Sequence, residues 1–268
     1  MRKTIGLLYV FMKIKVRMQM EYKGAFWAGS FAQIFYYGVD FLLLWIVVTR
    51  FMNLAGWSSE EVIFLYAVKL ISYGIAGTFF FHACHGLQNR VQSGGFDESL
   101  ILPVNPLLFE VLSNCTTAYV RHIALSIVIF VVSFIRLEIS LTFHILFWLI
   151  ILILSAALIQ AGFFLLFSAP IFWMIRGERV LSIFLHEMGG FVNYPINIYP
   201  ITIQVILTFM IPHAFTNFYP GQFILGKEGV SSFGPVLQYL TPLVGIIVFL
   251  LGLWIWNRSI QYYQSTGS

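Results

Sequence analysis

Three short stretches of this chain carry residue types that could do chemistry. Residues 221–228, GQFILGKE, nearly spell the phosphate-binding loop G-x-x-x-x-G-K-[ST]. In that loop backbone N–H groups cradle phosphates, the lysine reaches them and the hydroxyl holds Mg²⁺. Here Glu228 stands where the hydroxyl belongs, would repel phosphate, and no buried strand leads into the loop. Residues 186–190, HEMGG, begin like a zinc-protease helix, but Gly190 occupies the place of the second histidine. His82 and His85 in HACH (82–85) stand one helical turn apart. Zinc wants roughly three or four ligands and no further cluster accompanies them, so interfacial histidines are the simpler reading. No Gly-x-Ser-x-Gly motif, Ser/Lys dyad or paired intramembrane aspartates are present. The chain is therefore expected to have no catalytic residues, no metal site and no bound cofactor of its own.

The elements that position these residues belong to a membrane. Of 268 residues, 59% are hydrophobic, 18% aromatic and only 10% charged, with a mean hydropathy of +0.87. A soluble domain carries about 25% charge and about 45–50% apolar residues, so this is an all-α membrane protein. Phe, at 28 residues, and Trp, at 7, suit bilayer interfaces and lipid-facing packing. The net charge of +4 resembles a nucleic-acid signal only until the basic residues are placed, because they flank the spans. Cys84 and Cys115 lie in or beside apolar stretches and imply no disulfide. The basic start is interrupted by Lys13, Lys15 and Arg17 before a sufficient apolar core forms, so no cleavable signal peptide is expected.

A membrane helix needs about 20 mostly apolar residues. Six spans are expected, at roughly 25–50, 61–86, 111–135, 141–175, 200–217 and 235–256. Residues 1–22 read as an interfacial helix, with Ile5, Leu8, Tyr9, Phe11 and Met12 apolar and Lys3, Lys13, Lys15 and Arg17 able to reach headgroups. With the N-terminus placed in the cytoplasm, Arg2, Lys3, Lys13, Lys15, Arg17, Lys23, Arg90, Arg176, Arg179 and Arg258 fall inside. Arg50, Arg136 and Lys227 fall outside, and Lys69 and Arg121 within spans. That excess puts both termini inside, with residues 257–268 a cytoplasmic tail of one transmembrane domain, 1–268. Asp40 and Lys69 would each lie about 13–15 Å from the outer helix ends. A charge at that depth is costly, so either they pair across the first two spans or each snorkels or faces a cavity separately.

Between the second and third spans lies GGFDESLILPVNP, residues 94–106. Gly94 and Gly95 break the preceding helix. Asp97 or Ser99 can cap a short new one, with Asp97 and Glu98 near its positive N-terminus. Leu100, Ile101 and Leu102 supply an apolar face, and Pro103 and Pro106 stop and stiffen it. On composition alone this is either a rigid element suited to meet a partner or merely a tidy loop.

With its flank to 112 (GGFDESLILPVNPLLFEVL), and together with FVNYPINIYP (191–200) and IPHAFTNFYPGQFILG (211–226), it resembles the ABC-2 family of ATP-binding-cassette permeases. The likeness extends to the six-span, multidrug-type subgroup of roughly this chain length. It implies an N-terminal amphipathic helix, six spans, and a cytoplasmic coupling helix between the second and third spans that docks on a separate ATPase. It also implies an outer re-entrant segment between the last two spans. Under it, Gly95, Phe96, Asp97, Glu98, Leu100, Pro103 and Pro106 form the ATPase-coupling element. Tyr194, Pro195 and Pro200 mark a second cytoplasmic approach to the ATPase. Pro212, Tyr219 and Pro220 belong to the re-entrant segment, with Tyr219-Pro220-Gly221 a turn; an ordinary outer loop rich in aromatics is the plainer alternative.

The function expected is that of an exporter permease in a bacterial-type plasma membrane. It would move an apolar or amphiphilic, drug-like substrate from the cytoplasm or inner leaflet. ATP and Mg would be bound by the two domains of the partner ATPase, and a second permease chain, identical or related, would complete the pathway. No nucleic-acid partner is expected. The rival readings are an ion-gradient-driven secondary transporter, which would want several intramembrane acids and repeats where Asp40 stands alone, and a membrane-embedded enzyme, for which the motifs fail.

Overall fold

A sequence apolar on every side lets α1 (Lys23–Phe51) run as one uninterrupted helix of 29 residues. The computed structural model describes residues 13, 14, 17, 21, 23–51, 53–115, 118–174 and 176–265. The expected interfacial helix contributes only Lys13, Ile14, Arg17 and Glu21 to these and otherwise lies outside the described residues. After α1 the chain reverses in a two-residue turn between β1 (Asn53–Leu54) and β2 (Trp57–Ser58). Ala55 and Gly56 both take positive φ, the geometry that matches the twist of a tight hairpin. Ser58 then starts α2 (Ser59–His85) with a capping box. Its hydroxyl accepts from the Glu61 N–H, while its own N–H donates to the Glu61 carboxylate at 2.7 Å.

At the far end of α2 three short helices follow: α3 (Leu87–Gln92), α4 (Asp97–Ile101) and α5 (Pro106–Ser113). The expected span at 111–135 is split, because the chain leaves α5 at Asn114 and re-enters the bundle as α6 (Ala118–Arg136). Next comes α7 (Phe143–Ser168), started by the Thr142 hydroxyl, which accepts from the Ile145 N–H. A 3₁₀ turn, Ala169–Phe172, ends it beside α3.

The next segment departs from the sequence expectation. Glu178 opens α8 (Glu178–Ile183) at the α3–α5 end, where its N–H donates to Gln88 Oε1 at 2.8 Å. A π-helical turn, Phe184–Met188, and α9 (Gly189–Phe191) carry the chain on. Asn197 then donates to the Ala55 carbonyl in the hairpin at 2.8 Å. Residues 178–197 thus pass from one end of the molecule to the other in pieces. Tyr194, Pro195 and Pro200, expected beside the α3–α5 end, lie toward the hairpin end instead. The sequence reading placed them otherwise because Gly189, Gly190 and Pro195 break this segment, which has no continuous apolar run to show that it traverses the bundle.

The stretch 200–217, expected to span, does not. Its helical part is α10 (Ile201–Val205), extended by a π turn, Ile206–Met210, and stops at Ile211. Ten residues rise about 15 Å, half of a hydrocarbon core about 30 Å thick. The chain turns at Pro212–Asn217 with His213 buried against Phe163 and Phe184, and returns as α11 (Phe218–Leu225). Lys227 closes the loop back onto the hairpin end, bridging Glu61 at 2.6 Å and donating to the Gly56 carbonyl. The segment expected to be re-entrant corresponds to 201–225, which leaves the hairpin end and returns to it. Tyr219, Pro220 and Gly221 sit inside its returning helix and form no turn; Pro220 is tolerated in a first helical turn, where its missing N–H has no partner to lose.

Finally α12 (Thr241–Ser259) runs parallel to α7, with Gly245 against Ser155 and Gly252 against Gly162. Gly162, Gly245 and Gly252 bring the two backbones together: a Cβ on Gly252 would stand 2.7 Å from the Gly162 carbonyl oxygen. Small residues at such seams are what allow close helix packing in lipid. Among the described residues, five helical stretches are long and apolar enough to cross a membrane, namely Trp27–Phe51, Ser59–Gln92, Tyr119–Arg136, Phe143–Phe172 and Thr241–Tyr262.

Candidate functional site

Two places concentrate polar chemistry. The first is the α3–α5 end. Gly94 takes φ +73°, a conformation open to glycine, and swings the chain so that Phe96 drops into the bundle against Phe172, Trp256 and Tyr263. Neither Asp97 nor Ser99 caps α4: the cap position is Phe96 and no side chain satisfies it. Order comes from Arg90. Its guanidinium donates to the Gly95 carbonyl at 2.8 Å and to Ser99 at 3.2 Å, and pairs with Glu98 at 3.4 Å and Glu110 at 3.3 Å. Glu110 is buried and also accepts from Ser99 and Asn114. Burial pushes the Glu110 carboxyl above the usual carboxylate range, against the opposing pull of the Ser99 hydroxyl and Arg90.

This network holds α4 from behind and leaves Leu100 and Ile101 facing outward, Ile101 being 82% exposed. Pro103 and Val104 continue the exposed surface, and Pro106 opens α5 at its first position, where proline fits. Asp97, half-buried, accepts from Ser265 at 2.7 Å, so the chain's last described residue lies on the same element. Sequence reasoning missed Arg90, counting it only as a topology marker. The signal was there: a lone arginine followed within one short connection by Glu98 and Glu110.

The second place is a cavity of about 420 Å³ inside the bundle. Its walls come from α1, α2, α6, α7, the α9 region and the turn of the re-entrant segment, and they include both Asp40 and Lys69. The two do not form the expected direct ion pair. Tyr66, one turn before Lys69, donates its hydroxyl to Asp40 at 2.6 Å. Lys69 donates to the Gly189 carbonyl at 2.7 Å and to the Asn193 side chain. Each charge thus has its own neutral partner, and both face one cavity. The π turn before Gly189 matters here, since such turns re-aim backbone groups and recur at functional sites. Gln160 and His213, each buried, also line the cavity, and Gln160 Nε2 and His213 Nδ1 have no hydrogen-bond partner among the described residues.

The motifs that failed as chemistry find structural uses. Lys227 of the near phosphate loop locks the re-entrant segment to Glu61, its ammonium 5.1 Å from the ring centre of Trp57. His85 packs on Phe81 with Nδ1 3.4 Å from Glu178. Among the described residues no three His, Cys, Asp or Glu side chains gather as metal ligands.

A helical bundle with several membrane-length apolar helices, a rigid element exposed at one end and a charged cavity within defines a polytopic membrane protein of transporter type. Residues 34–267 match the family described as ABC-2 family transporter protein, and the chain belongs to that family. No curated protein and no solved structure matches the chain.

Proposed function

We propose that the chain is the permease subunit of an ATP-binding-cassette exporter, working as a dimer of permeases with a separate two-domain ATPase. The observation that carries this is the α4 element. It holds Leu100 and Ile101 outward on a scaffold ordered by Arg90 and the buried Glu110, an exposed apolar pair suited to a docking partner. Gly95, Phe96, Asp97, Glu98, Pro103 and Pro106 frame that surface. The basic residues that flank the α3–α5 end in the sequence support a cytoplasmic place for it and for both termini, with the hairpin end outside a bacterial-type plasma membrane.

In this mechanism ATP and Mg bind the ATPase alone. Closure of its two domains pushes on α4 of each permease, and Arg90 transmits the push to α3, α5 and hence α2. The ATPase supplies the differential binding free energy that shifts the bundle between its inward-facing and outward-facing states. The substrate moves from the cytoplasm or inner leaflet to the outside.

The test is co-purification of the full chain with its co-expressed ATP-binding-cassette ATPase. Leu100→Asp, Ile101→Asp and Asp97→Lys should leave the chain inserted and folded, while ATPase recovery falls by about tenfold, the effect of one lost anchor contact worth about 1.4 kcal/mol. Full recovery and full transport in all three variants would sink the assignment.

A further inference from the structure

The cavity between α1, α2, α7 and α9 has a composition that narrows its ligand. It holds one acid, Asp40, and one base, Lys69, both inside a bundle that has little else charged at that depth. Around Lys69 stand two unspent polar groups, Gln160 Nε2 and His213 Nδ1, with Gln160 3% and His213 2% exposed. The Gln160 amide is a donor, and His213 Nδ1 is one in the tautomer that carries its proton there; a buried donor without a partner costs free energy, so a site that keeps it is arranged for an acceptor that arrives later. Around Asp40 stand the rings of Tyr36, Tyr37 and Tyr73, and Tyr66 occupies one of its oxygens. Aromatic faces beside a carboxylate suit an ammonium group.

One wall therefore favours an anion and the other a cation. A ligand with a single charge would leave the opposite wall uncompensated in a low-dielectric site, which is costly. The ligand is also expected to have an apolar part. Tyr36 is 63% exposed while lining the cavity, and on the same α1 surface Phe35 is 74% and Leu43 57% exposed. The mouth thus adjoins a greasy flank.

We propose that this cavity binds the zwitterionic headgroup of an amphiphile, its ammonium against Asp40 and the tyrosines, its anionic group against Lys69, Gln160 and His213. The proposal rests on the permease reading above, in which such a headgroup is part of the exported substrate.

Three probes of equal chain length separate the possibilities: hexylphosphocholine, hexyltrimethylammonium and hexyl phosphate. Each is titrated against the full chain in uncharged maltoside micelles, and the rise in thermal unfolding midpoint gives an apparent affinity. Hexylphosphocholine should bind about tenfold tighter than either singly charged probe, the scale of one lost charge contact. Asp40→Asn, which keeps an oxygen for Tyr66, should move the preference to hexyl phosphate. Lys69→Gln, which keeps a donor for Gly189, should move it to hexyltrimethylammonium. Equal shifts with all three probes in the unaltered chain, or a rank order unchanged in both variants, would overturn the proposal. Loss of ATPase recovery with probe discrimination intact removes the exporter reading alone. Loss of discrimination with the ATPase still bound removes only this site.

Discussion

Arg90 is the residue on which the α3–α5 end depends. Its planar fork serves the Gly95 carbonyl, Ser99, Glu98 and Glu110 together, and a lysine, as a point charge, cannot. Arg90→Lys should cost about 1–3 kcal/mol, read as a lowered thermal unfolding midpoint, because Glu110 stays buried with its remaining donors only. Glu110 also sets a pH dependence. Its carboxyl titrates above the usual range because burial disfavours the charge. Protonation therefore favours the folded form. The contribution to stability is full below the ordinary carboxylate range and is lost as pH rises through the raised value. Glu110→Gln should flatten stability across that window. A Glu110→Gln profile that keeps the slope of the unaltered chain would show that another group titrates there.

At the scale of elements, the α7–α12 seam and the segment 201–225 are both sensitive to volume. A Cβ at Gly162 would meet the Val248 carbonyl oxygen at 2.6 Å, and one at Gly252 the Gly162 carbonyl oxygen at 2.7 Å. Backbone cannot rotate away as a side chain can. Gly252→Ala should cost about 1–3 kcal/mol by overpacking, seen as reduced resistance to heat in detergent. Gly221 on α11 differs: a Cβ there would collide with the Leu65 side chain on α2. Gly221→Ala should be recovered in large part by Leu65→Ala, a compensation that no partner change offers Gly252. Unfolding midpoints of the two single variants and the double variant measure this.

For the whole molecule the question is which segment reaches which side. In a background lacking Cys84 and Cys115, both buried, a cysteine at Ser232 should react with an impermeant thiol reagent added outside intact cells. One at Ser93 or Ser265 should not. Ile198→Cys is the decisive position. The sequence placed it near the cytoplasm, whereas Asn197 beside it bonds the hairpin at Ala55, so it should label from outside. Labelling of the Ile198→Cys protein only after the cells are opened would restore the order of spans read from hydropathy.

The sequence by itself determined the class of protein and its sidedness signal. Composition and long apolar runs are local properties, and they carry α1, α2, α7 and α12 at nearly the bounds expected. It determined, too, that Asp40 and Lys69 are out of place in apolar surroundings, and that residues 94–106 are conspicuous. Only the tertiary structure decided what those features meet. The acceptors of Lys69, Gly189 and Asn193, lie 120 and 124 positions along the chain, a separation at which no periodicity speaks. The apolar run at 201–210 has the same hydropathy whether it crosses or turns back. What settles it is the turn that begins at Pro212 and the packing of His213 against Phe163 and Phe184. The course of 178–197 along the bundle is invisible for the opposite reason: its glycines, π turn and proline pack against neighbouring helices and show no continuous apolar run.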